Sequence, residues 1–453
     1  MASSSSISSG KLDAGRRLYA IVGLGSRHEL YQDAIQTTYA HCAELVAVCD
    51  SNQGRMDRSR QRSVRNHAVS PAGYLAADFG RLLAECRPDV VVVTTPDASH
   101  HEYIIAAMNA GCDVVTEKPL TIDADKCRRI LEVSQRTGRR CRVAFNYRYS
   151  PPRTQVKEVL MSGVVGDILS VDFHWLLNTH HGADYFRRWH SRKEVSGGLL
   201  VHKSTHHFDL INWWLGVAPV AVMASGKREF YTPESARRQG LTGAHQRCLT
   251  CSEKSQCNFY LDLAAKPKLK SLYLDQEKYD DYHRDQCVFR AEVDIEDTMN
   301  ALVSYDSGAT LSYSLNAFNA WEGYTVAFNG TKGRLEHTLV ESVYLNGVET
   351  AASSLNGDDV KIRVVPLRGA GYDLASWTAE GDHGGGDRLM LADIFLPEPP
   401  FDKYQRAADA RAGVSSVMVG IGANRSLQTG ARVLLADILP EWGRSARGAS
   451  MLA

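Results

Sequence analysis

Apolar runs and polar, amphipathic stretches alternate through the first third of the chain. Leu18-Tyr19-Ala20-Ile21-Val22 reads as a buried strand, Glu29 to Tyr39 as a helix, and Glu44 to Asp50 as a second strand ending in an acid. The pattern then repeats: helix from Asp78 to Cys86, strand from Asp89 to Pro96, helix from His101 to Ala110, strand over Asp113-Val114-Val115-Thr116, helix from Asp123 to Thr137, and strand from Cys141 to Phe145. Strands that are apolar throughout are covered on both faces, and their alternation with helices implies a doubly wound α/β fold around a parallel sheet. Pro119 lacks an amide proton and fixes its own φ, so the strand before it must stop at Glu117-Lys118. Ligands of open parallel sheets sit outside the carboxyl ends of the strands. That rule places Lys118, Thr95-Pro96 and Asn146-Tyr147-Arg148-Tyr149 on one rim.

The pattern changes after Ser150-Pro151-Pro152. A helix from Arg153 to Met161 leads into the strand Leu169 to Leu176. Period-two stretches at 298–305, 310–315, 324–328 and 334–338 then read as hairpins joined by Ser-Gly and Asn-Gly turns. Further strands are expected at 343–345 and 361–366, and helices at 389–395 and 413–429. The expected organisation is a Ser-rich leader over 1–17, a Rossmann domain over 18–149, and an α+β domain over 150–453. A cysteine-containing insertion falls at about 226–292.

With 453 residues, 44% of them hydrophobic, the chain is long enough for two or three packed domains. The formal net charge is zero, which gives no reason to expect nucleic acid or an anionic membrane as partner. No apolar run approaches the ~18 residues of a membrane-spanning helix. The Ser-rich start lacks the apolar core of a secretory signal, so a cytosolic protein with mostly reduced cysteines is expected.

Gly23-Leu24-Gly25-Ser26-Arg27-His28 lies between the first strand and the first helix, and Asp50 closes the second strand. This order is the dinucleotide-binding fingerprint, with His28 at the place of the usual third glycine. Gly23 makes the tight turn, Gly25 admits the pyrophosphate, and Asp50 favours NAD over NADP by repelling a 2′-phosphate. Arg55, Arg58 and Arg60 read as a solvated helix face.

Val22 to Arg27, Thr94-Thr95-Pro96-Asp97-Ala98-Ser99-His100, Glu117-Lys118-Pro119-Leu120 and Ala144 to Tyr149 occur in the order seen in the glucose–fructose oxidoreductase, inositol dehydrogenase and rhizopine-catabolism (Gfo/Idh/MocA) family, which this chain resembles from about Leu18 onward. The resemblance implies an NAD(P)-dependent dehydrogenase or reductase acting on a sugar, cyclitol or related polyol. It also implies a second domain with an open, mainly antiparallel sheet that closes the cofactor site and often forms an oligomer interface. Expected cofactor-lining residues are Gly23, Gly25, Ser26, Arg27, Asp50, Thr95, Pro96, His100, Glu117, Lys118 and Asn146.

The stretch Gly197-Gly198 to Asp209 resembles the family pattern that carries the catalytic histidine, which falls on His206 here. His202 replaces the usual acid and Ser204 the usual glycine. His202 thus binds substrate, relays a proton, or marks a changed reaction. Removing an alcohol proton near neutral pH suits an imidazole base, and a lysine ammonium stabilises the developing alkoxide. The catalytic expectation is therefore Lys118, His206 and His202. Tyr149, His181, Arg188, Trp189, His190 and His383 are substrate-pocket candidates, while His207 reads as packing.

Cys248-Leu249-Thr250-Cys251, with Cys257 and Cys287, offers four thiols for a structural zinc ion, with disulfides or unpaired thiols as alternatives and His283 as a spare ligand. Three functions remain open from sequence. The first is a dehydrogenase. The second is a redox-assisted glycosidase or lyase that recycles its NAD. The third is a sugar-responsive regulator, disfavoured by Lys118 and His206.

Overall fold

The computed structural model describes residues 15–242, 245–341, 344–345, 348–349, 360–377 and 385–445. Six parallel strands form the first sheet: β1 (Arg17–Val22), β2 (Ala43–Asp50), β3 (Ala72–Leu75), β4 (Val90–Val93), β5 (Asp113–Thr116) and β6 (Cys141–Val143). Their order is β6-β5-β4-β1-β2-β3, with Ala408–Asp409 added antiparallel outside β6. The all-valine β4 is fully buried at the centre, as an apolar run covered by helices on both faces should be. The strand order reverses between β4 and β1, and the crevice at the carboxyl ends of those strands is where a doubly wound sheet accepts a ligand.

β3 lies outside the strands expected from the pattern. It is a four-residue edge strand, Ala-Gly-Tyr-Leu, too short for a periodic signal. Ala408–Asp409 was equally invisible: two residues from late in the chain complete the first sheet, so the division near 150 is not absolute.

Among the described residues the second sheet has nine strands. β7 (Ile168–Asn178), β8 (Pro219–Lys227), β9 (Thr298–Tyr305), β10 (Thr310–Asn319), β11 (Glu322–Gly330) and β12 (Gly333–Glu341) lie in the order β12-β11-β7-β10-β9-β8. Val360–Pro366 and Tyr372–Leu374 extend it beyond β12, and Val433–Leu434 pairs with β8. All pairs are antiparallel except β7 with β10. Trp175, Phe173, Tyr313 and Tyr324 fill its inner face, against which the wholly buried stretch Ser204–Trp214 packs. Thus the second sheet holds the helix that carries His206 and presses it toward the carboxyl rim of the first. No helix among the described residues is long and apolar enough to cross a membrane.

The insertion was read only for its cysteines. It contains Pro233–Arg238, Pro267–Leu272 and Glu277–Asp280 as short helices, and its second half folds back onto the first domain.

Candidate active site

The glycine turn has the form the sequence implies. Gly23 sits at φ +89°, and a Cβ there would lie 2.6 Å from the Thr95 amide nitrogen. At Gly25 the nearest atom to such a Cβ is the Tyr273 hydroxyl, 3.8 Å away, so this face of the turn is open. The helix His28–Gln36 directs its amino end at the turn, which suits a phosphate. Asp50 Oδ2 accepts from the Leu24 amide at 2.5 Å and Oδ1 from the Asn52 amide at 2.7 Å. His28 does the work of the missing glycine differently: its buried ring bonds back to the Gly25 carbonyl through Nδ1 at 2.5 Å. Burial lowers its pKa, so the neutral ring is favoured there. A glycine cradle with room above it, helix amides and a strand-terminal carboxylate together fit a dinucleotide.

Four of the expected cofactor residues also brace the rim. Arg27 Nε donates to Glu117 Oε1 at 2.5 Å, and the Tyr31 hydroxyl donates to the same oxygen at 2.7 Å. The His100 ring nitrogens lie 2.8 Å from the Pro119 carbonyl and 2.9 Å from that of Thr95, tying together the segments after β4 and β5. Asn146 Nδ2 donates to Asp387 at 2.8 Å.

Lys118 precedes a cis peptide bond to Pro119. Its Nζ lies 3.3 Å from His202 Nε2 and donates to the His202 carbonyl at 3.2 Å. The other nitrogen of that ring, Nδ1, is 2.5 Å from Asp97 Oδ2. Burial lowers the Lys118 pKa to about 8, opposed by the Asp97 and Glu117 carboxylates and assisted by Lys203 and Arg27. Burial and then the Lys118 charge hold His202 well below the ordinary histidine range, which favours the neutral imidazole. Burial raises the Asp97 pKa, an effect that Lys118 opposes. With the ring proton on Nδ1 facing Asp97, the Nε2 lone pair faces the lysine.

His202 ends the short helix Leu199–His202, and His206 lies one turn further, in Ser204–Leu215. The His206 ring stacks on Tyr147 at 4.2 Å between centroids and meets Phe145 edge-on at 6.0 Å. Both aromatics lie just beyond β6. Between the two histidines, buried Lys203 donates to the Tyr147 hydroxyl at 3.2 Å and lies 4.7 Å over Trp175. The structure therefore brings Lys118 and His202 into contact and sets His206 against Phe145 and Tyr147, just beyond β6.

The aromatic and basic stretch before them gathers around His202. The His190 ring is 4.3 Å from it, Trp189 stacks on His190 at 3.6 Å, and Tyr185 stands 5.5 Å from His202. His181 bonds Glu322 at 2.7 Å through Nδ1 and the Tyr185 hydroxyl at 3.0 Å through Nε2. Arg188 donates to Asp184 at 3.2 Å. Asp97, Lys203, Tyr185 and Glu322 were not among the residues expected from sequence. Asp97 lies inside the Thr94–His100 motif, and the histidine in place of the usual acid at 202 is the signal that could single it out.

Two expectations are corrected. Tyr149 is buried in a cluster with Tyr19, Phe395 and Ile394, and its hydroxyl bonds Asp393 and Arg142, so it does not reach the pocket. No three of the sulfurs of Cys248, Cys251, Cys257 and Cys287 lie within 4.8 Å of one another, and all four are free thiols. A tetrahedral zinc ion with ~2.3 Å bonds needs sulfurs about 3.8 Å apart, so that ligand set is not assembled. His207 packs as expected, stacked on Trp175 at 4.0 Å. His383 lies outside the described residues.

Two family models match the chain: the NAD-binding Rossmann fold of an oxidoreductase family over residues 17–145, and the C-terminal alpha/beta domain of the same family over 157–435. YteT of Bacillus subtilis, placed by its name among oxidoreductases, is 39% identical over 356 residues, covering 77% of this chain and 82% of its own. Inositol 2-dehydrogenase of Salmonella typhimurium is 28% identical over 196 residues, 43% of this chain and 53% of its own length. A glycosyl hydrolase family 109 protein of a Shewanella species is 25% identical over 206 residues, 43% of each chain. Among solved structures, the WlbA dehydrogenase of Bordetella pertussis in complex with NADH and UDP-GlcNAcA superposes with a TM-score of 0.59 at 18% identity, covering 93% of this chain and 99% of its own. At that identity the likeness concerns the fold.

Proposed function

The chain belongs to the Gfo/Idh/MocA oxidoreductase family, and on that premise we propose that it is an NAD-dependent dehydrogenase or reductase acting on a hydroxyl of a sugar, cyclitol or related polyol. The observation that carries the reading is the contact line from Asp97 through His202 to Lys118, placed on the rim beside the glycine turn. When bound, the nicotinamide supplies the hydride chemistry. The chain supplies proton handling and orientation. A lysine with a pKa of about 8 has an appreciable amine fraction near neutrality and can take the alcohol proton. His202 Nε2, 3.3 Å from the lysine nitrogen, orients it as a neutral ring, with Asp97 against the far ring nitrogen. As the ammonium, Lys118 stabilises negative charge on the substrate oxygen. His206 is the second acid–base group. His181, Trp189, His190 and Tyr185 offer ring faces and polar edges, a suitable lining for a polyol.

Isothermal titration with NAD and NADP, followed by a screen of sugars and cyclitols for NADH formation, tests the reading. Binding of NAD and turnover of at least one polyol are expected, and failure to bind either nucleotide would overturn it. The relatives that act on inositol support the substrate class. Leu169 and Leu302, 60% and 61% exposed on strands of the second sheet, support assembly with further copies of the chain. The free thiols support a reducing, cytosolic setting.

A second reading, a redox-neutral glycosidase or lyase that returns its hydride, is favoured by the insertion that folds over the glycine turn. Turnover without accumulation of NADH would select it.

A further inference from the structure

The second half of the insertion lies against two parts of the first domain expected to meet a dinucleotide, the glycine turn and the segment after Asp50. The Tyr273 hydroxyl accepts from the Ser26 amide at 3.2 Å, 247 residues away in the chain. That amide belongs to the turn expected to hold the pyrophosphate. Because the hydroxyl oxygen accepts there, its own proton is left to donate outward. The Tyr273 ring is backed by the Arg284 guanidinium at 5.7 Å, which Asp184 holds through a 2.6 Å bond.

At the far end of the cleft the insertion closes on the segment after Asp50. Asn52 Nδ2 donates to the Gln276 carbonyl at 3.0 Å. Gly54 is approached so closely that a Cβ there would fall 1.7 Å from Gln276 Oε1 and 2.6 Å from Tyr279. Asp280 binds Arg55 at 2.5 Å, and Arg55 also reaches Asp50 at 3.3 Å. Lys268 pairs with Glu29 at 2.7 Å, and Ser271 accepts from Arg58 at 3.2 Å. The arginines after Asp50 are therefore engaged by neighbouring residues, contrary to the solvated face expected from sequence.

Resting on the NAD-dependent reading above, we propose that residues 267–284 form a third wall of the coenzyme site, with Tyr273 as a pyrophosphate ligand and Asp280 as a specificity residue. Two carboxylates, those of Asp50 and Asp280, hold the Arg55 guanidinium beside the residue expected to take the ribose hydroxyl. A 2′-phosphate would meet an arginine already neutralised and two like charges, so NAD is selected over NADP. A wall fastened at both ends of the cleft also slows release, and the coenzyme stays in place from one turnover to the next.

The test is NADH release from the wild-type protein and from Tyr273→Phe, followed by nicotinamide fluorescence after displacement with excess NAD. NAD and NADP affinities of wild type and Asp280→Asn are compared by calorimetry. Tyr273→Phe keeps the ring over Arg284, and circular dichroism of both variants confirms the fold. Release about tenfold faster from Tyr273→Phe is expected, the loss of one bond to a charged group. A ratio of NAD to NADP affinity at least fivefold smaller is expected in Asp280→Asn. Release at the wild-type rate from Tyr273→Phe, with an unchanged ratio in Asp280→Asn, overturns the proposal. A wild-type protein that binds neither nucleotide removes the reading beneath it as well.

Discussion

Nδ1 of His202 lies 2.5 Å from Oδ2 of Asp97, and both residues are buried. The two are 105 residues apart in the chain. His202 occupies the position where related sequences are expected to carry an acid beside the lysine. A carboxylate, that of Asp97, stands one ring further away, and the imidazole connects it to Lys118.

The first consequence concerns pH. The Asp97 carboxylate raises the Lys118 pKa against the larger opposing effect of burial. Without that carboxylate the pKa falls further below about 8. For alcohol oxidation the lysine must be the free amine, so the rate rises with pH across its titration. In Asp97→Asn the rising limb of the kcat/KM profile moves to lower pH, and the plateau drops by about 10²-fold as the tautomer of His202 is no longer enforced. A purely structural role for Asp97 would lower the plateau and leave the midpoint where it was.

A second consequence is non-additivity. His202→Asp alone sets two carboxylates against each other, Asp97 and the new one, which disfavours both charged forms. Adding Asp97→Asn relieves that repulsion and leaves one acid next to Lys118, whose Nζ already reaches the backbone carbonyl of residue 202. The double variant is expected to be at least about tenfold more active than His202→Asp, a recovery of about 1.4 kcal/mol relative to that parent. Steady-state kinetics of the wild type, both single variants and the double variant measure this. A double variant no better than its worse parent would refute the shared role.

These couplings were not legible in the sequence, though much of the frame was. Continuous apolar runs located β1, β2, β4, β5 and β6, because a strand covered on both faces has no polar position to hide it. Pro119 located the end of β5, and with it Lys118. Register along a strand is local information. The side to which a ring falls after the strand ends is not, which is why Tyr149 shares a rim with Lys118 in sequence and yet lies in the core cluster that includes Phe395 in the structure. Likewise, the spacing of Cys248 and Cys251 says nothing about how far Cys257 and Cys287 stand from them. Tyr273 reaches Ser26 only because a whole insertion folds back, and no periodicity encodes that contact.

The two glycines of the turn separate folding from coenzyme binding. Gly23→Ala places a Cβ 2.6 Å from the Thr95 amide at a φ of +89°, so both sterics and backbone conformation oppose it. A destabilisation of roughly 2–4 kcal/mol is expected, read as a lower melting temperature without coenzyme. Gly25→Ala meets no protein atom closer than 3.8 Å and should melt like the wild type. Its methyl group instead intrudes where a pyrophosphate approaches, and calorimetry should show NAD affinity lowered by at least about tenfold. Equal NAD affinity in Gly25→Ala and wild type would remove the turn from the coenzyme site.

Lys118 itself is expected to lower the stability of the fold it serves. Its ordinary pKa of 10.5 is lowered to about 8 by burial, so the folded state disfavours the ammonium. Between those two values the unfolded chain binds more protons than the folded one, and stability rises with pH across that window. Below about pH 8 the penalty is constant, and the gap between 10.5 and about 8 corresponds to about 3 kcal/mol. Lys118→Met removes this penalty along with the contacts to His202, which are worth roughly 1 kcal/mol each. A net stabilisation of about 1–2 kcal/mol is expected at pH 7, together with loss of activity. Because the wild type recovers stability as its lysine loses its proton, the difference should shrink between pH 8 and pH 10.5. Calorimetric melting of the two coenzyme-free proteins at pH 7 and pH 10 measures it, and a gap that widens at the higher pH would show that the ammonium is not the strained form.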